Sequence, residues 1–218
     1  MRKRLSYTKV SIASPSRRRF LTTAAMAPLL LWLPGRADAA STIHELEGSV
    51  YVNNRLASTA TIIRAGDHIV VAHGGKLVMS IGGDAYLLRE GTALEVAGHN
   101  NIVVSGLRLL TGAMLAVFAK RSQPTRIITS TATIGIRGTA VYVSAEPHRL
   151  YTCTCYGHTD LSIGRHVEQI SATHHNAHEV APDDTGTISM RSMEVIDHTD
   201  DELRMLENLV GRKPPFDV

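Results

Sequence analysis

The sequence predicts a mainly β fold. Many short antiparallel strands form a sandwich, barrel or short solenoid-like β-domain, with one C-terminal α-helix. Three observations carry this reading. From Ile43 to Val143 the dominant period is two, with β-branched and apolar residues in short runs. Turn signals built on Gly, Asn and Asp separate these runs at roughly 8–12-residue spacing. Helical spacing occurs only near the end, after His198. No exact internal repeat is visible, so repeat evidence does not select a solenoid.

Residues 1–39 read as a targeting segment and stand outside the fold. Arg2, Lys3, Arg4 and Lys9 make a basic start, and Ser16-Arg17-Arg18-Arg19-Phe20-Leu21 matches the twin-arginine pattern. The apolar run from Phe20 to Leu33 is about 14 residues, short of the roughly 20 that span a bilayer. Pro34-Gly35 breaks it, and Ala37-Asp38-Ala39 has the small-x-small form of a cleavage site. The alternative is a basic arm with a buried helix, but three signal features in the right order favour export. The expected location is therefore the periplasm, reached by the twin-arginine route, and no later stretch approaches membrane-span length.

Charge changes with that division. The whole chain carries 23 Lys+Arg and 20 Asp+Glu, a net of +3. Residues 1–39 hold eight Lys/Arg and one Asp, so the rest carries 15 basic and 19 acidic residues, net −4. The nucleic-acid footprint of a basic stripe is missing. Two cysteines are too few for a disulfide framework.

The strand candidates follow in order. They are 50–52, 60–63, 68–71, 76–81, 85–88, 94–96, 102–104, 113–118, 125–128 and 139–143. Asn53-Asn54, Gly66-Asp67, Gly74-Gly75, Gly82-Gly83-Asp84, Glu90-Gly91 and Gly112 supply the turns, which need positive φ. After Tyr156 the pattern loosens. Residues 160–163, 167–170 and 188–195 read as strands, and the polar stretch 171–186 reads mostly as loop. Thr199 is an N-cap, and Asp200, Asp201 and Glu202 suit the positive end of a helix dipole. Leu203, Leu206, Leu209 and Val210 repeat at helical spacing until Gly211 and Pro214-Pro215 stop the helix. The helix is expected over about residues 200–210, its leucines packed on the β-domain.

Several elements together resemble the FecR-type domain over roughly residues 44–145. They are Glu47-Gly48-Ser49-Val50, Ala65-Gly66-Asp67, Gly83-Asp84-Ala85-Tyr86-Leu87-Leu88, a valine-rich strand near Ile102, Leu110-Thr111-Gly112, Thr129, and Ala132 to Thr139. Gly135-Ile136-Arg137-Gly138-Thr139 is the most specific part. The resemblance implies a β-rich periplasmic domain. In the best-known members it receives a signal from an outer-membrane receptor and passes it to a sigma factor through a transmembrane helix. Without such a later helix, what carries over here is a binding or sensing module, not direct control of a sigma factor. The divisions are then 1–39 signal, 40–145 FecR-like domain, 146–198 β-rich extension, and 199–218 helix and tail.

Two motifs offer chemistry. Gly135, Arg137, Gly138 and Thr139 form a turn whose arginine is either structural, paired with an acid such as Asp67 or Asp84, or a fork for a ligand carboxylate or phosphate. Cys153 and Cys155 are the only cysteines. In a strand, Tyr151, Cys153 and Cys155 share a face, with the two cysteine Cα atoms about 6.5–7 Å apart. That is poor for an unstrained disulfide and good for two thiolates on one soft metal, Zn or Cu. His174, His175 and His178 are the expected partners, with His158 nearby, giving a tetrahedral site of two sulfurs and two nitrogens. A labile thiol-redox pair and buried inert thiols remain the alternatives. The other histidines, His198 among them, read as surface or capping residues.

No GxSxG elbow, phosphate-binding loop, HExxH or catalytic carboxylate pair is present. The expectation is therefore a non-enzymatic module. Its readings are a binding or sensing domain, a metal or thiol-redox protein, or a structural envelope component that binds glycan or a protein. The expected partner is an envelope protein or a small ligand, and no nucleic acid.

Overall fold

The computed structural model describes residues 41–99, 103–122 and 125–217. Residues 1–39, read from sequence as a twin-arginine signal, and Ile102 lie outside these residues. Among the described residues the chain is mainly β, with a single α-helix near the C-terminus. In chain order the strands are β1 (Ser41–Glu47), β2 (Val50–Val52), β3 (Arg55–Leu56), β4 (His68–Val71), β5 (Lys76–Ile81), β6 (Asp84–Leu88), β7 (Ala93–His99) and β8 (Val103–Val117). Then come β9 (Thr125–Ile128), β10 (Thr133–Ile136), β11 (Ala140–Glu146), β12 (Arg149–Ile163), β13 (His166–Ala172), β14 (Asn176–Pro182) and β15 (Ile188–Met193). Helix α1 spans Asp200–Leu209.

The strands form two sheets that share β8 and β12. The first sheet runs β1-β5-β6-β8-β11-β12-β14-β15 and is antiparallel throughout. The second runs β3-β2-β4-β7-β8-β9-β10-β12-β13, with only β8 and β9 parallel. Alternation turns one side of each sheet inward. Leu77, Met79, Leu88 and Val143 of the first sheet share the main core with Ile69, Leu94, Leu107 and Ile134 of the second. The result is a sandwich.

The shared strands cross between sheets at glycines. In β8, Thr111 still pairs with β7, and Gly112 already pairs with β11. In β12, Tyr156 pairs with β11, and Gly157 pairs with β13. Gly112 and Gly157 have φ of +84° and +87°. Residues with a Cβ disfavour that conformation, so each glycine sets a bend where the strand changes sheets.

The first sheet buries its other face as well. Val78, Leu87, Leu115, Val117 and Tyr142 form a second apolar cluster with Leu203 and Leu206 of α1. The helix begins with a capping box, in which Thr199 Oγ1 accepts from the Glu202 N–H and the Glu202 carboxylate accepts from the Thr199 N–H. Gly211, at φ +71°, turns the chain away. Arg89 of the β-domain holds the helix start through Glu202 at 2.9 Å and the Asp197 carbonyl at 2.6 Å. No helix among the described residues is long and apolar enough to cross a membrane.

Four sequence expectations differ from the structure. Residues 60–63 are not a strand; Ile63 is a buried loop anchor whose N–H donates to Ser41 Oγ. The runs at Val103-Val104 and 113–117 belong to one bent strand, β8. Gly135 and Ile136 lie in strand β10, so the turn narrows to Arg137-Gly138. Within 171–186, the stretch Asn176–Pro182 is strand β14 despite its polarity. Its Glu179 is buried and stays charged by pairing with Arg149 and Arg191.

Candidate metal centre

The cysteines sit on the second apolar face, under the segment that leads into α1. Tyr151, Cys153 and Cys155 alternate outward along β12, with Thr152 and Thr154 on the opposite side. Both thiols are fully buried. At Cys155 the register against β11 slips: Val141 pairs with Thr154, and Ala140 pairs with Tyr156. Cys155 is the extra residue of this bulge. Its carbonyl is taken instead by the His175 N–H at 2.8 Å.

Two histidines close the site. His175 ends the loop between β13 and β14 and adopts φ +51°, an uncommon value for a residue with a side chain. His198 lies between β15 and α1, directly before the helix N-cap. Asp197, also at positive φ (+60°), turns the chain there. Tyr151 Oη ties this segment down by donating to the Glu194 carbonyl at 3.0 Å and accepting from the Ile196 N–H at 3.1 Å. The His198 ring stacks on Tyr142 with centroids 4.7 Å apart.

The donor atoms converge. Cys153 Sγ is 3.5 Å from His175 Nδ1, Cys155 Sγ is 3.5 Å from His198 Nε2, and the two nitrogens are 3.3 Å apart. All four donor atoms lie within 4.8 Å of one another. A tetrahedral zinc with Zn–S of about 2.3 Å and Zn–N of about 2.05 Å has S···N edges of about 3.6 Å and N···N edges of about 3.3 Å. Two S···N edges at 3.5 Å and the N···N edge at 3.3 Å match those values, and the remaining edges lie within 4.8 Å.

The tautomers are fixed from outside. His198 Nδ1 lies 2.8 Å from the Ile196 carbonyl, which only accepts, so Nδ1 carries the proton and Nε2 presents its lone pair inward. His175 Nε2 lies 2.9 Å from Asp200 Oδ1, which leaves Nδ1 facing the sulfurs. This is the carboxylate–histidine arrangement that supports metal ligands. Burial works to raise the Asp200 carboxyl, but hydrogen bonds from His174 and His175 outweigh it and hold Asp200 below its ordinary range. The Cys153 thiol is pulled down to about 4, chiefly by the hydrogen bond from Cys155, which outweighs the opposing effect of burial. Burial and the neighbouring Cys153 push the Cys155 thiol up.

Asp200→Asn tests the outer contact. It keeps the size of the side chain and removes the charge that orients His175. Zinc affinity, measured by competition with a chromophoric chelator, is expected to fall about 10- to 100-fold. An unchanged affinity removes Asp200 from the site.

Of the residues the sequence nominated, Cys153, Cys155 and His175 come together. His174 does not reach the sulfurs; its Nε2 shares Asp200 at 3.0 Å and its ring lies 4.5 Å from that of His175. His178 pairs with Thr152 across the β12–β14 ladder and shares the inward side with Val180, so alternation turns it away from the thiols. His158 is exposed and bonds Ser171 Oγ at 2.8 Å. His198, which the sequence reading assigned to the surface, stands where a fourth donor is needed. It lies 43 residues from Cys155, and no spacing motif links them. The one local hint is a histidine just before a helix start that carries an aspartate.

Gly135, Arg137, Gly138 and Thr139 lie apart from these donors. The Arg137 side chain is 61% exposed and pairs with Asp160 at 2.9 Å. Asp67 and Asp84, the acids considered from sequence, are engaged by Asn53 and by Arg121. Thr139 Oγ1 donates to the Tyr156 carbonyl, binding the turn to the strand that carries the cysteines.

No family model matches the chain, and no curated protein matches it in sequence. Two crystal structures of a protein from Parabacteroides distasonis, assigned as an anti-sigma factor, are similar in fold. One aligns with a TM-score of 0.50 at 14% identity, the other with 0.49 at 15% identity. Each alignment covers 58% of this chain and 60% of that one. At such identity the likeness speaks for the fold alone.

Proposed function

We propose that the chain is a non-enzymatic, FecR-like periplasmic binding or sensing module that holds one zinc ion at Cys153, Cys155, His175 and His198. The observation that carries the metal is the set of donor separations: two S···N distances of 3.5 Å and one N···N distance of 3.3 Å. Two thiolates and two imidazoles in a tetrahedron suit zinc better than copper, which favours square-planar nitrogen and oxygen sites as Cu(II) and softer sulfur sites as Cu(I). Four protein donors also fill the coordination shell. That is the pattern of a structural zinc, with no open position for a reacting water.

The sensing part of the reading draws on the fold and on where the ligands lie. A structural neighbour, aligned with a TM-score of 0.50, is assigned as an anti-sigma factor, a regulatory class. In this chain the ion would join three segments distant in sequence: β12, the β13–β14 loop and the lead into α1. Gain or loss of metal is thereby coupled to the seating of the C-terminal segment on the sheet. Export by the twin-arginine route fits this reading, because that route carries proteins already folded around a cofactor.

The test is metal analysis of the chain purified from the cytoplasm and from the periplasm. The expected result is one zinc per chain in both fractions, with neither thiol reacting with a disulfide reagent until the metal is chelated. Less than stoichiometric metal in both fractions, with both thiols titrating freely, overturns the zinc reading. A thiol pair that cycles between oxidised and reduced forms without bound metal would instead favour the redox alternative.

A further inference from the structure

We propose that a cleft beside the metal centre binds an amphipathic anion: a carboxylate or phosphate head on an apolar body. The cleft has a volume of about 890 Å³ and lies between the Arg137-Gly138 turn and the chain that follows α1. Its apolar walls are the rings of Phe118, Tyr156 and Phe216. Its charge is one-sided. Lys120, Arg137, Arg212 and Lys213 line it, and Glu207 is the one carboxylate among its lining residues. Glu207 is buried and already engaged, accepting from Tyr156 Oη and paired with Arg212.

This concentration stands against the rest of the chain. Residues 40–218 carry a net charge of −4 and hold three lysines, two of which are Lys120 and Lys213. Both are exposed, and neither makes an ion pair among the described residues. Arg137 and Arg212 are already paired, with Asp160 and Glu207, so the charge left for an incoming anion is that of Lys120 and Lys213, with the two arginines beside them. Apolar rings with a few placed charges are the usual make-up of a small-ligand site.

The Gly-Ile-Arg-Gly-Thr motif has its place here. Gly138 is at φ +67°, and a Cβ on it would lie 2.7 Å from Lys120 Cγ and 2.9 Å from Lys120 Cα. The glycine therefore lets the Arg137 turn close onto Lys120, setting both cations on one rim. This site is distinct from the metal centre and does not depend on it, although His174 borders both.

The test uses octyl phosphate as probe and octyl glucoside as its neutral counterpart, titrated calorimetrically into the zinc-loaded chain. Octyl phosphate is expected to bind at least about 10-fold more tightly than octyl glucoside, and less tightly as salt rises. The double variant Lys120→Glu/Lys213→Glu is expected to lose at least about 10-fold in octyl phosphate affinity. Both positions are exposed, so melting temperature and zinc content should hold, which keeps this outcome separate from the metal reading. Vesicles of phosphatidylglycerol that displace the probe would assign the head group to a lipid, and vesicles that leave it bound would assign it to a free anion. Equal affinity for the two probes, unchanged binding in the double variant, or no binding at about 1 mM probe overturns the proposal.

Discussion

Replacing Cys153 and Cys155 together with serine is expected to lower the melting temperature by about 10 °C and to make it indifferent to zinc. Serine is close to cysteine in shape, so the surrounding packing changes little. What goes is the pair of soft anionic donors. An ion bound only by the folded chain stabilises it by about 4 kcal/mol when present at about 1,000 times its dissociation constant. For a chain of this size each kcal/mol moves the midpoint by about 2–4 °C. The loss should be concentrated where the ion joins β12 to His175 and His198, so the lead into α1 would loosen first. Thermal unfolding of both proteins, with added zinc and with a chelator, gives the comparison. Inert buried thiols predict the opposite: a wild-type midpoint that a chelator leaves alone, and a variant within a degree or two of it.

The β character was readable because most strands here are half-buried, and half-burial writes period two into a sequence. Helix α1 was readable for a different reason: its cap, acidic first turn and leucine spacing are all local. The same locality explains what was missed. Strand β14 is polar in composition because Glu179 is neutralised by Arg149 and Arg191, residues 30 and 12 positions away. Strand β8 read as two pieces because Gly112 within it looks like a turn residue in a sequence. At the site, alternation correctly put both thiols on one face, but the same alternation on β14 puts His178 on the wrong side. His198 reaches Cys155 only through the packing of α1, and Arg137 meets Asp160 only through the β10–β12 ladder. Long-range pairing of this kind leaves no spacing to count.

Gly112→Ala is expected to cost at least about 3 kcal/mol, a midpoint fall of about 6–12 °C, although it adds a single methyl group. Two penalties combine. The first is the positive φ of +84°, which any residue with a Cβ adopts at a cost of about 1–2 kcal/mol. The second is space: the new Cβ would lie 2.4 Å from Thr92 Cα, 2.6 Å from Thr92 N and 2.7 Å from the Gly91 carbonyl oxygen. These are backbone atoms of the neighbouring strand entry, and no rotamer change moves them. Thr92 is fixed there as well, its hydroxyl donating to the Ala113 carbonyl and accepting from the Ala113 N–H. Gly164→Ala separates the two penalties. Gly164 is also at positive φ, +59°, but nothing lies within 4 Å of its added Cβ, so it should cost only the conformational part, about 1 kcal/mol. Denaturant unfolding of the two variants measures the difference. If they were equally destabilised, close packing at the bend would contribute nothing. A larger loss for Gly112→Ala would show that β8 needs this glycine to leave one sheet and enter the other, the step that brings Leu115 and Val117 beneath α1 and builds the face on which the cysteines lie.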